Sequence, residues 1–273
     1  MDLNKWKKEV KKLEEKIKKN PNDIESYLYL AEAYQELDKY PKSIKIYKEL
    51  LKKNPDDEGI YLCLGMTYCD IEQYEEAAKV LKKAIDIDSE FMEPYICLSV
   101  AYCELEQYEE AIKILKQAIE IEPEFAEPYV RLSIAYNGLE EYEKAIKVLK
   151  EAISLDPESA NAYFQLGVAN FFLEKYSEAV KGFELAIKLY PEFVDAYYLL
   201  GVTYEILELN TESIEAYKQA IKINSEYSVV YLALGALYAR EGEVASAQKQ
   251  YEILKKLDED LAGELLKIIE NRD

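Results

Sequence analysis

YLCLGMTYCDIEQYEEAAKVL, residues 61–81, is followed 34 residues later by YICLSVAYCELEQYEEAIKIL, residues 95–115. The spacing between these two stretches extends far beyond them. Steps of 34 from Tyr27 land on Tyr61, Tyr95, Tyr129, Tyr163, Tyr197 and Tyr231. The same steps from Leu30 land on Leu64, Leu98, Leu132, Leu166, Leu200 and Leu234. Seven units, starting near residues 24, 58, 92, 126, 160, 194 and 228, fit without insertion or deletion. A period of this length is the signature of stacked helical hairpins.

Positions within a unit are counted here as phases, with Ile24 as phase 1. Phase 8 is always small (Ala31, Gly65, Ser99, Ser133, Gly167, Gly201, Gly235), and phase 20 is always Ser or Ala. Small residues at fixed phases let two helices approach closely while neighbouring large residues fill the gap. Tyr occupies phase 11 in six units, and Pro ends four units at phase 32 (Pro55, Pro123, Pro157, Pro191), where it stops a helix. Over roughly 24–257 the pattern resembles the tetratricopeptide repeat family. Departures are Asn170 for the phase-11 aromatic, Ser89 and Ser225 for proline, and Asn210 and Val244 for the phase-17 Tyr. The resemblance implies an all-α, right-handed superhelical solenoid of seven helix-turn-helix units. Each unit pairs a first helix A with a second helix B, and the A helices line a concave groove that binds a peptide or helix of another protein.

Both ends of the chain read as caps, which a solenoid needs to cover its terminal apolar faces. Leu3, Trp6, Val10, Leu13 and Ile17 form one stripe in an N-terminal amphipathic segment, 1–20. Leu257, Leu261, Leu265, Leu266 and Ile269 do the same around a C-terminal segment, 258–273. About sixteen helices are expected.

Helical geometry sorts the phases of helix A into two faces. Phases 4, 7, 8 and 11 form the core face. On the other face phases 5 and 9 are almost continuously apolar, including Phe164, Val168, Tyr198 and Val202. Around them lie Glu25, Glu32, Glu36, Asp70, Glu93, Glu104, Glu127, Asp195 and Glu205, opposed only by Arg131 and Arg240. An apolar floor with acidic walls suits a basic, amphipathic protein or peptide. Phe164, Phe171, Phe172 and Tyr198 are the expected anchors, and Arg131, Asn137, Gln165 and Asn170 the polar groups that fix a peptide backbone. The acidic rim is Glu93, Glu104, Glu127, Asp195 and Glu205. The bland reading is that phases 5 and 9 pack between neighbouring A helices. Within the family, repeats that clamp a chaperone's C-terminal carboxylate carry Lys and Asn at these phases, and this chain does not.

The chain has 273 residues, 54 acids against 34 bases and a net charge of −20, which opposes nucleic acid. The first 20 residues run the other way, with eight Lys against four acids. No apolar run approaches 18 residues and the start lacks a signal-peptide core, so no membrane insertion and a cytoplasmic location are expected. Histidine is absent, as is any Gly-rich phosphate loop, so no catalytic residue, metal or cofactor is implied. Residues six apart on a helix point about 120° apart, so Cys63/Cys69 and Cys97/Cys103 do not converge on one ion and are read as free thiols at the groove edge. Three readings of function follow. The first is a non-catalytic interaction scaffold. The second is a self-assembling scaffold whose basic N-terminal helix enters a neighbour's groove. The third is a designed or consensus-derived array without a native ligand.

Overall fold

The computed structural model describes residues 3–270; the outermost residues of the two terminal segments, 1–2 and 271–273, lie outside the described range. Among the described residues the secondary structure is sixteen α-helices and no strand. None of these helices is long and apolar enough to cross a membrane. The chain divides into two compact units, 1–139 and 140–273, separated in the turn after the eighth helix.

The first unit holds α1 (Leu3–Lys19), α2 (Ile24–Gln35), α3 (Tyr40–Lys53), α4 (Glu58–Asp70), α5 (Tyr74–Ile87), α6 (Met92–Glu104), α7 (Tyr108–Ile121) and α8 (Ala126–Gly138). Each helix packs on its neighbour in sequence, and α4, α6 and α8 also touch side by side, forming a layer of A helices. The core runs through Tyr47, Leu64, Leu81, Leu98 and Leu115. Val10 and Leu13 of α1 are buried against Leu30, Ala33 and Tyr34 of α2, with Trp6 and Ile17 half-buried beside them and Leu3 exposed, so the centre of the amphipathic stripe is satisfied within the molecule. The Tyr34 hydroxyl donates to Glu14 (2.9 Å) and Lys16 pairs with Asp23 (3.1 Å), tying α1 down at its polar margin.

The second unit holds α9 (Tyr142–Leu155), α10 (Ala160–Phe172), α11 (Tyr176–Leu189), α12 (Val194–Ile206), α13 (Asn210–Ile223), α14 (Ser228–Arg240), α15 (Val244–Leu257) and α16 (Glu259–Glu270). The phase-24 side chain fills the space over the phase-8 glycine within a hairpin: Phe183 lies over Gly167 and Tyr217 over Gly201, as Leu81 lies over Gly65 in the first unit. At the last hairpin the rule changes. Gly235 is covered by Leu265 of α16, while the phase-24 residue Tyr251 is only half-buried. The closing helix thus plugs the array with a side chain from outside the repeat register.

Every turn from helix A to helix B uses a left-handed residue at phase 15. These are Asp38, Glu72, Glu106, Glu140, Glu174 and Glu208, with φ between 55° and 61°, and Gly242 with φ 90°. The next N–H then closes the helix end: Gln73 donates to the Tyr68 carbonyl at 2.8 Å, and Lys175 to that of Asn170 at 2.9 Å. For an L-residue this conformation costs about 1–2 kcal/mol, partly offset by glycine's larger entropy loss on folding. Glu72→Gly is therefore expected to stabilise the protein by about 0.5–1 kcal/mol, read as a higher thermal midpoint; a lower midpoint would show that the glutamate side chain holds the turn.

Candidate interaction surface

In the first unit the exposed face of the A-helix layer holds a cavity of about 430 Å³. Leu62, Met66, Met92, Ile96 and Cys97 contribute its apolar lining, together with Phe91 and Phe125. Glu90, Glu93, Glu122 and Glu127 stand around it, and no basic residue lines it. The volume falls within the range of sites that enclose a bulky ligand group. Phe91 and Phe125 sit at phase 34, just before a helix A, and the helix-wheel reading had no place for them. Their positions come at a local cost. Asp23, Asp57 and Ser159 hold the equivalent N-cap position in three other hairpins, and their side chains accept a backbone N–H of the first turn. Phe91 and Phe125 make no such cap. A good N-cap contributes about 1 kcal/mol, so these two positions forgo that stability and place a ring beside the cavity.

Arg131 and Asn137 also belong to the first unit. Arg131 donates through Nε to Glu127 at 2.6 Å, so the base is bound to a rim acid. Asn137 is half-buried on α8, and Glu93 and Glu104 are exposed. Along phase 5, Leu62 and Ile96 line the cavity, whereas Val130 is in the core.

In the second unit the four expected aromatic anchors separate into three groups. Phe164 is half-buried, with its ring 4.6 Å from Phe193 and 5.8 Å from Phe183. Tyr198 is half-buried between Tyr217 (6.2 Å) and Tyr227 (5.9 Å). Phe193 and Tyr227 are again phase-34 residues, each set against phase 5 of the hairpin before the helix it precedes. Phe171 and Phe172 lie away from this floor. Phe172 is 56% exposed and stacks on Tyr142, the first residue of α9, at 5.2 Å and 7°. Both therefore sit at the tips of the hairpins, where helix A turns into helix B. Val168 and Gln165 are half-buried on α10. Asn170 is buried, and its Nδ2 donates to the Leu166 carbonyl at 2.8 Å, so this amide serves its own helix rather than an exposed face.

The rim acids of the second unit are engaged. Asp195 accepts from the Tyr227 hydroxyl at 2.9 Å; burial, and then this carboxylate, push that phenol up to about 12. Glu205 accepts from Tyr217 (3.0 Å) on one oxygen and from Arg240 (2.8 Å) on the other. These three residues line a smaller cavity of about 330 Å³ with Val202, Ile206, Ala233 and Ala236. Burial, then Glu205, raise the Tyr217 hydroxyl far above the usual phenol range, so it remains a donor.

The four cysteines are free and half-buried in the core of the first unit. No group of three or more metal-ligating side chains is placed to hold an ion among the described residues. Burial first, then Cys97, Asp70 and Glu104, push the Cys69 thiol up to about 11. Against a free thiol near 8.5, that leaves on the order of a few hundredfold less thiolate at pH 8. Iodoacetamide is accordingly expected to alkylate Cys69 on the order of a few hundred times more slowly than free cysteine at pH 8, with the rate rising tenfold per pH unit to about pH 11. A rate near that of free cysteine would show an open, unperturbed thiol.

Hairpins stacked through small residues, with an exposed layer of A helices, define a helical-repeat scaffold. Tetratricopeptide repeat models match residues 72–133, 134–173, 160–193 and 194–227, which together span more than half of the chain. A model described as anaphase-promoting complex, cyclosome, subunit 3 matches residues 3–84. No curated protein matches the sequence significantly. Among solved structures, the APC/C hetero-tetramer Cut9-Hcn1 contains a chain 18% identical, with a TM-score of 0.72 over 96% of this chain and 52% of that one. The chain thus spans about half the length of that relative. A tetratricopeptide repeat protein from Parabacteroides merdae is 16% identical, with a TM-score of 0.70 over 91% of this chain and 99% of that one. MamA is 30% identical, with a TM-score of 0.53 over 61% of this chain and 91% of that one. The chain belongs to the tetratricopeptide repeat family, and its class is that of protein–protein interaction scaffolds.

Proposed function

We propose that the protein holds a basic, amphipathic peptide or helix of another protein on the A-helix face, as a non-catalytic scaffold. The observation that carries this reading is the cavity beside Phe91 and Phe125. Two N-cap positions that Asp or Ser fill in three other hairpins are given to aromatic rings, and four glutamates, one of them (Glu127) paired with Arg131, line the space they border. An apolar anchor flanked by Lys or Arg matches that surface in both shape and charge. The second unit has an apolar floor of its own, Phe164, Val168, Tyr198 and Val202, with Asp195 and Glu205 beside it. Seven units over 24–257, with α1 and α16 as end caps, are the proposed domain plan, and the cytoplasm the proposed compartment. Self-assembly through α1 is disfavoured, because the centre of its stripe, Val10 and Leu13, is already buried against α2. Capture of partners from a lysate by the wild-type protein and by Phe91→Asp/Phe125→Asp tests the reading. A basic protein retained by the first and lost by the second is expected. Equal recovery by both would reject the cavity as the site.

A further inference from the structure

The repeat supplies its own control for a second surface, at the hairpin tips of the second unit. Phase 13 closes helix A. In the first unit it is Glu36, Asp70, Glu104 and Gly138, whereas in the second unit Phe172 and Ile206 stand there. Phase 16, in the turn, is Lys39, Gln73 and Gln107 in the first unit and Leu209 in the α12–α13 hairpin of the second. All three apolar residues are exposed, at 56%, 45% and 40%. Packing does not demand them, since the first unit builds the same turns with acids, amides and glycine. In that unit the phase-17 ring of Tyr108 lies directly under Gly138.

In the second unit the phase-17 rings instead extend the apolar surface. Tyr142 stacks under Phe172, Phe171 packs edge-on against Phe172 at 5.6 Å, and Phe171 meets Tyr176 at 5.7 Å. Tyr176 is the phase-17 residue that the register pairs with Ile206, as it pairs Tyr142 with Phe172. The result is an apolar row along the tips rather than isolated exposed residues. Its surroundings carry one sign of charge. The turn segments 140–144, 174–178, 205–212 and 240–243 hold ten acids and three bases. Two of those bases are bound to acids of the same segments, Lys144 to Glu141 (2.7 Å) and Arg240 to Glu205 (2.8 Å). The left-handed turns put Glu140, Glu174 and Glu208 at successive tips.

We infer that the row from Phe172 to Leu209 is a second docking surface, separate from the A-helix face, whose occupant is a helix of a partner protein with an aliphatic stripe flanked by Lys or Arg. Charge complementarity selects that occupant over an acidic segment, a nucleic acid or an anionic lipid surface. The basic amphipathic helix α1 of this chain is not the occupant, because its Val10 and Leu13 are buried against α2.

The probe is a synthetic amphipathic peptide of Leu and Lys carrying a photoreactive group, with cross-links mapped by mass spectrometry. The variant is Phe172→Glu/Ile206→Glu/Leu209→Gln, which installs residues that the first unit already carries at these phases. The wild-type protein is expected to cross-link within 171–176 and 206–210. The variant should give at least tenfold less product there at unchanged helix content, and Phe91→Asp/Phe125→Asp should leave those products intact. No product in these segments, or equal product from the variant, overturns the inference. So does a collapse of helix content in the variant, which would make the row part of the core. A wild-type dimer that dissociates in the variant would assign the surface to a second copy instead.

Discussion

Gly182→Ala is expected to destabilise the second unit by about 3 kcal/mol, although alanine is the better helix former by about 1 kcal/mol. The reason is the approach of α10 to α11. A Cβ at residue 182 would lie 2.7 Å from the backbone nitrogen of Gly167, 2.8 Å from its Cα and 3.0 Å from the Tyr163 carbonyl oxygen. A side-chain neighbour can rotate away from a new methyl group, but helical backbone cannot, so the two helices must separate. Phe183, which lies over Gly167 and is fully buried, would lose its packing as they part. Gly263→Ala is the matched control. Nothing lies within 4 Å of a Cβ built there, and the residue is in the middle of α16. That change should stabilise by about 0.5–1 kcal/mol. Urea unfolding of the two variants beside the wild type gives the comparison. Similar stability for Gly182→Ala and wild type would mean that the α10–α11 approach is looser than described.

Leu265→Ala is the second large effect, expected to cost about 2–5 kcal/mol, the range for removing a buried leucine side chain where the site does not collapse. Leu265 is fully buried among Tyr231, Leu254 and Ala262, and its two methyl groups lie nearest to Gly235, with Gln250 Cβ behind them. Stacked repeats hold together mainly through nearest-neighbour contacts. The loss should therefore appear first as faster amide exchange in α14, α15 and α16, with α10 and α11 little changed. Uniform exchange across the second unit would show that the end plug is coupled to the whole unit rather than to its last hairpin.

The hairpins and their register were legible because the phases that build them are set by sterics repeated seven times. Small residues at phases 8 and 20 can only mark close helix contacts, and an acidic, apolar A-helix face follows from rotation about the helix axis. What the wheel omits is position along that axis. Phe171 and Phe172 share a direction with Phe164 but lie two turns further on, at the tips. Phe91, Phe125, Phe193 and Tyr227 precede the helices, where no wheel is drawn. Their signal was the aromatic recurring at 34-residue steps in the place of a capping Asp or Ser. The left-handed turns left a weak trace, an acid at phase 15 in six units and Gly242 in the seventh, because glutamate is a poor marker of that conformation. Asn170 breaks the phase-11 aromatic column for a reason internal to the helix, since its amide donates to the Leu166 carbonyl. The plug by Leu265 was not legible, because it replaces a contact that the register assigns to Tyr251.

The most direct test of the proposed role is equilibrium binding of a captured basic segment to the wild-type protein and to Phe91→Asp/Phe125→Asp. Each new aspartate stands where Asp57 caps α4, with its carboxylate accepting from the Ile60 N–H at 2.9 Å. The variant should therefore be at least as stable as the wild type, and more negative around the cavity. A loss of affinity of tenfold or more at unchanged or raised thermal midpoint is the predicted result. Undiminished affinity in that stable variant would contradict a ring-lined, glutamate-walled cavity as the place where the partner is held.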